Sequence, residues 1–320
     1  MKVYKYGILS TASIVPRFIN ALRESGRGEV VALASRSEEK AAEKAKEWNI
    51  PKHYGSYEAL LADPEIEVVY VAMINSEHYA YTLKALEAGK HVICEKPFTL
   101  NHEHARHLFQ VAKEKGLFVA EAQKAVFLPV MADIKELIRS GKLGKIQFMD
   151  CTSSCSAVYN EWLHKVECGG GALAGNASYS IHLVKYLFDE EVTGYSALCT
   201  KGDSQVDEQC VINLSLGNRI LFVSKISTNV KAVDRALIFG TEGWVEIGEY
   251  WKARRAVVHY NTGEDVVLEH PCRYELIYEI QHFHDCMDQG LLQSPVMSEE
   301  MTVSTLEILD GIRASWGMQC

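Results

Sequence analysis

The chain has 320 residues, of which 48% are apolar and 23% charged, and this length and composition suit a globular protein with two domains of ordinary size. Its formal net charge of −9, without an offsetting basic run, argues against a nucleic-acid-binding surface. No apolar run approaches the roughly 20 residues of a spanning helix and the N-terminus lacks a signal-peptide layout, so a cytoplasmic location is expected.

The first part of the chain alternates predicted strands with predicted helices. Apolar runs predict strands over residues 2–9, 29–34, 68–72, the run before Glu95, and 118–120. Helices are predicted over residues 14–25, 38–48, 57–62, 78–88 and 102–115. Continuously apolar strands that alternate with helices form a parallel, doubly wound sheet. We therefore expect an α/β dinucleotide-binding Rossmann domain over residues 1–122.

The second part changes to strands that follow one another with few helices between them. Strands are predicted over residues 145–151, 192–198, 208–214, 219–226, 235–239, 244–247, 256–260 and 265–268. Residues 216–219 and 240–243 have the composition of hairpin turns. Helices are expected over residues 130–140, 174–188, 274–289 and 298–316. This pattern predicts an α+β domain with a mostly antiparallel sheet over residues 123–320.

A lysine follows directly on one of the predicted parallel strands. Glu95 and Lys96 come after an apolar run, and Pro97 then ends the strand. Ligands bind at the carboxyl edge of open parallel sheets. Lys96, with Glu95 beside it, is able to donate to an alcohol or carbonyl oxygen and to stabilise negative charge there. From these residues alone, a solvated strand end is an equal alternative.

Several stretches together resemble one enzyme family. They are Asn75-Ser76-Glu77-His78, residues 85–97 through Glu95-Lys96-Pro97, the turn at residues 140–144 and the glycine run at residues 169–173. In these stretches the chain resembles the Gfo/Idh/MocA oxidoreductases, the glucose-fructose oxidoreductase and inositol dehydrogenase family, over nearly its whole length. Residues 7–12 and 34–37 look most like the branch with the dimeric dihydrodiol dehydrogenases and the NADP-linked D-xylose dehydrogenases.

The resemblance implies an NAD(P)-dependent dehydrogenase or reductase that acts on a CH–OH group of a sugar or diol-like alcohol. It also implies a homodimer or higher oligomer formed through the sheet of the second domain, which would bind the substrate. Neither a nucleic-acid nor a membrane partner is expected.

The loop after the first strand is expected to bind the cofactor. A Rossmann fingerprint uses glycines so that the backbone approaches the pyrophosphate at a helix N-terminus. This loop has no glycine, but two of its residues stay small and its hydroxyl groups are able to bond phosphate oxygens. The expected cofactor-binding residues of the loop are Ser10, Thr11, Ala12, Ser13 and Ile14.

The end of the second strand indicates which dinucleotide is bound. An acidic residue there would hold the ribose 2′-hydroxyl of NAD, whereas an arginine accommodates the 2′-phosphate of NADP. The chain has Ser35, Arg36 and Ser37, and no acid before Glu38. Arg36 offers a planar, charged fork, so NADP is the expected cofactor and NAD the alternative.

The resemblance also implies the catalytic residues. Asn75, Glu95 and Lys96 would line the nicotinamide-binding cleft, whereas His78 would either contact the cofactor or cap and pack its helix. Tyr179 fits the position of proton transfer, with Lys96 favouring loss of its proton or polarising the substrate oxygen.

The family places an acid four residues before Tyr179, where this chain has Gly175. Because one member of the usual set is absent, a non-catalytic dinucleotide sensor or regulator stays open as the alternative function.

Substrate contacts are expected from four further residues, namely Glu121, Trp162, Asn176 and His182. For Glu121, a strand-end carboxylate that faces water is an equal alternative. No metal is expected, because His102, His104 and His107 lack the spacing and convergent partners of a zinc site.

Overall fold

A computed structural model describes residues 2–155 and 161–318 of the chain. Its first sheet has six parallel strands in the order β3-β2-β1-β4-β5-β6. The strands are β1 (Tyr4–Leu9), β2 (Gly28–Ala34), β3 (Lys52–Tyr54), β4 (Val68–Val71), β5 (His91–Glu95) and β6 (Val119–Ala122). The short strand β3 was not predicted, since three residues at a sheet edge carry too little apolar pattern. The strand order reverses between β1 and β4, and ligands bind beyond the carboxyl ends of strands at such a point.

Nine α-helices lie in the described residues. They are α1 (Val15–Ser25), α2 (Glu38–Glu47), α3 (Tyr57–Leu61), α4 (His78–Glu87), α5 (His102–Lys115), α6 (Pro129–Arg139), α7 (Ser178–Leu187), α8 (Ile277–Asp288) and α9 (Glu299–Ser315). Helix α1 shows why the sequence folds this way: Pro16 lies in its first turn, and Phe18, Ile19 and Leu22 form a buried apolar stripe.

The second sheet has eight strands in the order β14-β13-β12-β11-β7-β10-β9-β8. These are β7 (Ile146–Ser154), β8 (Val192–Lys201), β9 (Asp207–Leu216), β10 (Ile220–Ser227), β11 (Arg235–Gly240), β12 (Gly243–Gly248), β13 (Arg255–Tyr260) and β14 (Val266–Glu269). Neighbouring strands are antiparallel except for β7 and β10. Both predicted hairpins form, and Gly217 and Asn218 take the positive φ angles that a tight hairpin turn requires. The predicted fold class is confirmed.

The chain separates into two compact units, which divide it differently from the expected boundary after residue 122. The first unit contains residues 1–123 and 274–303, and the second contains residues 124–273 and 304–320. Residues 274–303 join the first unit because α8 bonds to its sheet and loops. Arg27 forms ion pairs with Asp285 and Asp288, with N–O distances of 2.5 and 2.7 Å. The His284 ring stacks on the Tyr4 ring.

None of the helices in the described residues is both long enough and apolar enough to span a bilayer. The cytoplasmic location stays a prediction.

Candidate active site

The loop between β1 and α1 reaches a tight turn without a glycine. Ser10 takes a φ of 94°, a backbone conformation that favours glycine. Its hydroxyl donates to the Ala72 carbonyl at 2.5 Å and accepts from the Ala12 N–H at 3.1 Å, which holds the turn. At the N-cap of α1, the Ile14 side chain has no oxygen with which to bond the first N–H groups of the helix.

At the end of β2, Arg36 is exposed while its serine neighbours serve the backbone. The Ser35 hydroxyl accepts from the Ser37 N–H at 3.4 Å. The Ser37 hydroxyl caps α2 by accepting from the Lys40 N–H, and it donates to Glu39 at 2.7 Å. Arg36 therefore offers a charged group to solvent at this strand end, whereas both serines already have local partners.

The turn that carries Lys96 is anchored by the elements around it. The Tyr70 hydroxyl, on β4, donates to the Glu95 carboxylate at 2.5 Å. The Nδ1 atom of His78, on α4, lies 2.7 Å from the Pro97 carbonyl oxygen. Since Lys96 lies between these anchored residues, its backbone is fixed at the carboxyl end of β5.

A third anchor comes from β6. Glu121 is only 1% exposed, its Oε1 accepts from the Phe98 N–H at 3.2 Å, and its Oε2 accepts from the Thr302 hydroxyl at 3.0 Å. Burial raises the pKa of Glu121 to about 7, although these hydrogen bonds and the charge of Lys96 act in the opposite direction. The alternative of a carboxylate that faces water is wrong, because Glu121 lies inside the first unit behind the Lys96 turn.

His78 also packs inside the first unit. The side chain is 1% exposed, and its Nε2 lies 3.0 Å from the Met73 carbonyl oxygen. Burial lowers the pKa of His78, against the two backbone carbonyls that favour the charged ring. Asn75, 4% exposed, lies in a short 3₁₀ turn just before α4 (Asn75–Glu77). His78 thus packs beneath the Lys96 turn and supports it. Of the two roles expected for His78, cofactor contact or packing, these contacts correspond to packing.

In the second unit, Tyr179 has a partner that was not predicted. Lys124 lies in a 3₁₀ turn directly after β6 (Lys124–Phe127), and its Nζ donates to the Tyr179 hydroxyl at 2.5 Å. The same Nζ lies 4.6 Å from the centre of the Tyr179 ring. Both side chains are 6% exposed. The signal that would have found Lys124 is its place at a parallel strand end, the rule that identified Lys96.

The segment before Tyr179 is a π-helical turn (Leu173–Ala177) rather than the start of the predicted α-helix. A π turn contains more residues than an α turn, so the face shared by Gly175 and Tyr179 is less regular than the four-residue spacing predicts. The Asp207 carboxylate, 3% exposed, accepts from the Leu173 N–H at 2.6 Å. Burial raises the pKa of Asp207 to about 6, against the effect of that hydrogen bond. Asp207 thereby fixes the start of the π turn.

The other predicted residues of the second unit lie around this segment. His182 is 1% exposed and lies one turn after Tyr179 on α7, whereas Asn176 is half-buried within the π turn. Trp162 is half-buried in a short 3₁₀ turn (Glu161–His164). The Trp251 ring lies 6.4 Å from the Tyr179 ring. Within residues 2–155 and 161–318, no three His, Cys, Asp or Glu side chains group as a metal ion requires.

Comparison with known proteins identifies the family. Residues 4–123 match the oxidoreductase family with an NAD-binding Rossmann fold, and residues 131–246 match the Gfo/Idh/MocA C-terminal domain. The trans-1,2-dihydrobenzene-1,2-diol dehydrogenase of Xenopus laevis is 32% identical over 310 residues, which is 92% of each chain.

Two solved structures show the same fold. A levoglucosan dehydrogenase in complex with NADH and levoglucosan has a TM-score of 0.88 at 20% identity, covering 99% of this chain and 98% of that one. A 3-ketoreductase from Actinomadura kijaniata, in complex with NADP and TDP-benzene, has a TM-score of 0.88 at 21% identity and covers 98% of both chains. The predicted resemblance is confirmed, and the chain belongs to the Gfo/Idh/MocA family of NAD(P)-dependent oxidoreductases.

Proposed function

We propose that this protein is an NADP-linked dehydrogenase or reductase that acts on a CH–OH group of a sugar or a diol-like alcohol. The observation that carries the proposal is the anchored turn, which fixes Lys96 at the carboxyl end of β5 through bonds to Glu95, Pro97 and Phe98. The name of the Xenopus relative supports a diol substrate, and the levoglucosan complex supports a sugar.

The first unit has a loop that fits a dinucleotide. The φ angle of Ser10 allows the turn that glycine provides in a fingerprint, and Ala12 keeps the loop surface small. The Thr11 and Ser13 hydroxyls are able to bond phosphate oxygens where α1 begins, and the first turn of this helix contains no acidic residue that would repel a phosphate. The pyrophosphate is therefore proposed to lie against residues 10–14.

Arg36 supports NADP over NAD. Its guanidinium is exposed at the end of β2, where the 2′-substituent of the adenosine ribose lies in Rossmann domains. A guanidinium bonds phosphate oxygens through two parallel N–H groups. Solved structures of this fold contain NADH in one case and NADP in another, so the fold alone does not set the preference, and Arg36 is proposed to set it here.

The residues proposed for the chemistry are Lys96 and Tyr179. The bound nicotinamide supplies the hydride acceptor or donor. During reduction, Lys96 is proposed to donate to the carbonyl oxygen and to stabilise the negative charge that grows on it. Tyr179 then gives its hydroxyl proton to that oxygen and regains a proton from solvent, and oxidation runs through the same steps in reverse.

A non-catalytic dinucleotide sensor is the second candidate, and Gly175 favours it. A Cβ atom added at Gly175 would lie 3.3 Å from the Leu163 side chain, a tight contact that requires a small shift of that side chain. This candidate rests on the missing acid, because an acid at position 175 belongs to the usual catalytic set.

A second copy of the chain is the proposed partner of the second sheet. On one face of this sheet Leu198 is 78% exposed and Leu221 60% exposed, with Val211 paired directly opposite Leu198. Exposed apolar side chains grouped on one sheet face mark an interaction surface. The second unit is therefore proposed to carry both the substrate-facing Tyr179 and the subunit contact.

The experiment that tests the function measures cofactor binding and turnover separately. NADPH and NADH binding are followed by nicotinamide fluorescence, and turnover by absorbance with NADP⁺ and trans-1,2-dihydrobenzene-1,2-diol, levoglucosan or D-xylose. Lys96→Met and Tyr179→Phe are each expected to lower kcat by on the order of a hundredfold while NADPH affinity changes little. Lys113→Met, an exposed lysine of α5, is the control.

Three outcomes separate the candidates. NADPH binding with turnover that both variants lose supports the enzyme. NADPH binding without turnover on any of these probes supports the sensor. Full activity in both variants would show that Lys96 and Tyr179 are not the catalytic residues.

A further inference from the structure

Lys124 is a cation that hydrogen-bonds the Tyr179 hydroxyl within the second unit. Its Nζ lies 2.5 Å from the phenol oxygen and 4.6 Å from the ring centre, so the ammonium sits at the edge of the ring beside the oxygen. Both side chains are almost fully buried. Burial keeps water from screening this contact, which makes it stronger than a surface contact of the same length.

The direction of this hydrogen bond constrains the phenol. An ammonium group has three N–H donors and no acceptor, so the Tyr179 oxygen must accept. The hydroxyl proton is therefore directed away from Lys124, toward an acceptor other than this lysine. In the proposed reaction this acceptor is the substrate oxygen.

The same contact acts on charge during proton transfer. When Tyr179 gives up its proton, negative charge forms on an oxygen that already lies beside a fixed cation, so no reorganisation is needed at that moment. The chain has glycine at position 175, where its family has an acid, and a cation, Lys124, hydrogen-bonds the Tyr179 hydroxyl.

We propose that Lys124 is a positioning residue for Tyr179, which aims the hydroxyl proton at the substrate and stabilises the phenolate left after its transfer. This inference rests on the proposed function, in which Tyr179 moves the proton. It adds Lys124, a residue of the second unit, to that reaction as the hydrogen-bond partner of Tyr179.

A double-mutant cycle tests the proposal. Lys124→Met, Tyr179→Phe and the double variant are compared with wild type in NADP⁺-dependent oxidation of trans-1,2-dihydrobenzene-1,2-diol. We expect Lys124→Met to lower kcat by roughly 10- to 100-fold, with KM changed by less than about threefold. In the Tyr179→Phe background the same change should have no further effect, because residues that act through one group are not additive. Lys124→Arg, which keeps the cation, should recover part of the loss.

Lys135 provides the matched control. Its Nζ lies 4.5 Å from the Tyr186 ring centre, so this pair reproduces a lysine–tyrosine contact in the same unit. Lys135→Met is expected to leave kcat unchanged. If it lowers kcat as much as Lys124→Met does, the effect of Lys124 is one of general packing and the proposal is overturned.

The outcomes keep the inference separate from the proposed function. Full turnover in Tyr179→Phe would overturn the role of Tyr179 itself. Impaired turnover in Tyr179→Phe together with an unimpaired Lys124→Met, or with additive losses in the double variant, would overturn only the role of Lys124.

A second measurement needs no substrate, so it tests the role of Lys124 even if the protein turns over none of the probes. In the NADPH complex labelled with ¹³Cζ-tyrosine, the Tyr179 signal is assigned by its loss in Tyr179→Phe. Lys124→Met is expected to move this signal more than any other tyrosine signal, and Lys124→Arg to move it less. An unchanged Tyr179 signal would overturn the proposal.

Discussion

The buried carboxylate of Glu121 accepts a hydrogen bond from the backbone N–H of Phe98 at 3.2 Å, two residues after Lys96. The residue at the end of β6 therefore holds the turn at the end of β5. The second carboxylate oxygen accepts from Thr302, so Glu121 joins three segments of the first unit. A carboxyl group placed in this way should influence both stability and the position of Lys96.

Glu121→Gln should change how stability depends on pH. Because burial raises the pKa of Glu121 to about 7, the folded protein binds more protons than the unfolded chain between about pH 4.3 and 7. The contribution of Glu121 to the free energy of unfolding is fully present below about pH 4 and is lost as the pH rises to 7. The free energy of unfolding of wild type should fall by about 3 kcal/mol relative to the variant across this window. Urea unfolding of wild type and Glu121→Gln at pH 4.5 and pH 8 measures this change. If the two proteins differ in unfolding free energy by the same amount at both pH values, the raised pKa of Glu121 is contradicted.

His284→Gln should give the opposite slope. The His284 Nε2 lies 2.7 Å from the Tyr6 hydroxyl, and burial, aided by the charge of Arg27, lowers its pKa to about 4. The folded protein then binds fewer protons than the unfolded chain between about pH 4 and 6.5, so this stability is present above about pH 6.5 and is lost as the pH falls to 4.

Wild type should therefore lose about 3 kcal/mol of unfolding free energy relative to His284→Gln between pH 7 and pH 4, since glutamine still bonds Tyr6. Urea unfolding at pH 4, 5.5 and 7 measures the difference. A difference that does not vary with pH would show that His284 is not held neutral by the fold.

Gly171→Ala should destabilise the second unit. Gly171 has a φ of 112°, and a Cβ added there would lie 2.2 Å from the Asp207 carboxylate that bonds the Leu173 N–H. We expect a loss of roughly 2 kcal/mol or more, because backbone strain adds to a disturbed buried hydrogen bond. Thermal unfolding measures the loss. Gly175→Ala in the same segment is the control, and a similar loss in both variants would contradict this account.

Arg36→Asp should reverse the cofactor preference. A carboxylate repels the 2′-phosphate of NADP and is able to bond the ribose hydroxyl of NAD. We expect KM for NADPH to rise by roughly 10- to 100-fold, since a charge-assisted hydrogen bond contributes about 1.5–3 kcal/mol. Lys46→Asp, at the far end of α2, makes the same change in net charge and should leave the preference as it is. An unchanged NADPH/NADH ratio in Arg36→Asp would refute the assignment.

Leu221→Glu should separate the subunits of the proposed dimer. A glutamate on this exposed apolar face would be buried in an interface, which costs several kcal/mol. Light scattering at micromolar concentration should show a dimer for wild type and a monomer for the variant. Val166→Glu, which replaces an exposed valine outside the sheet, should stay dimeric. A wild-type protein that is a monomer would refute the proposal directly.

Much of the fold was predictable because it is encoded locally. Hydrophobic periodicity reports which residues of a strand or helix are buried, and the Gly217-Asn218 pair specifies a hairpin turn by its backbone preferences. The place of Lys96 at a strand end followed from the apolar run before it and from Pro97 after it. The family then followed from short sequence stretches that match its pattern.

The sequence by itself determined most of the strands and helices, the fold class and the strand end that carries Lys96, because these depend on neighbours within a few residues. Only the tertiary structure decided what lies against the site residues. Lys124 and Tyr179 are 55 positions apart, and Glu121 and Thr302 are 181 apart, so no local pattern links them. Burial by distant segments also decided the electrostatics of the site. It raises the pKa of Glu121, and it excludes water from the hydrogen bond between Lys124 and Tyr179.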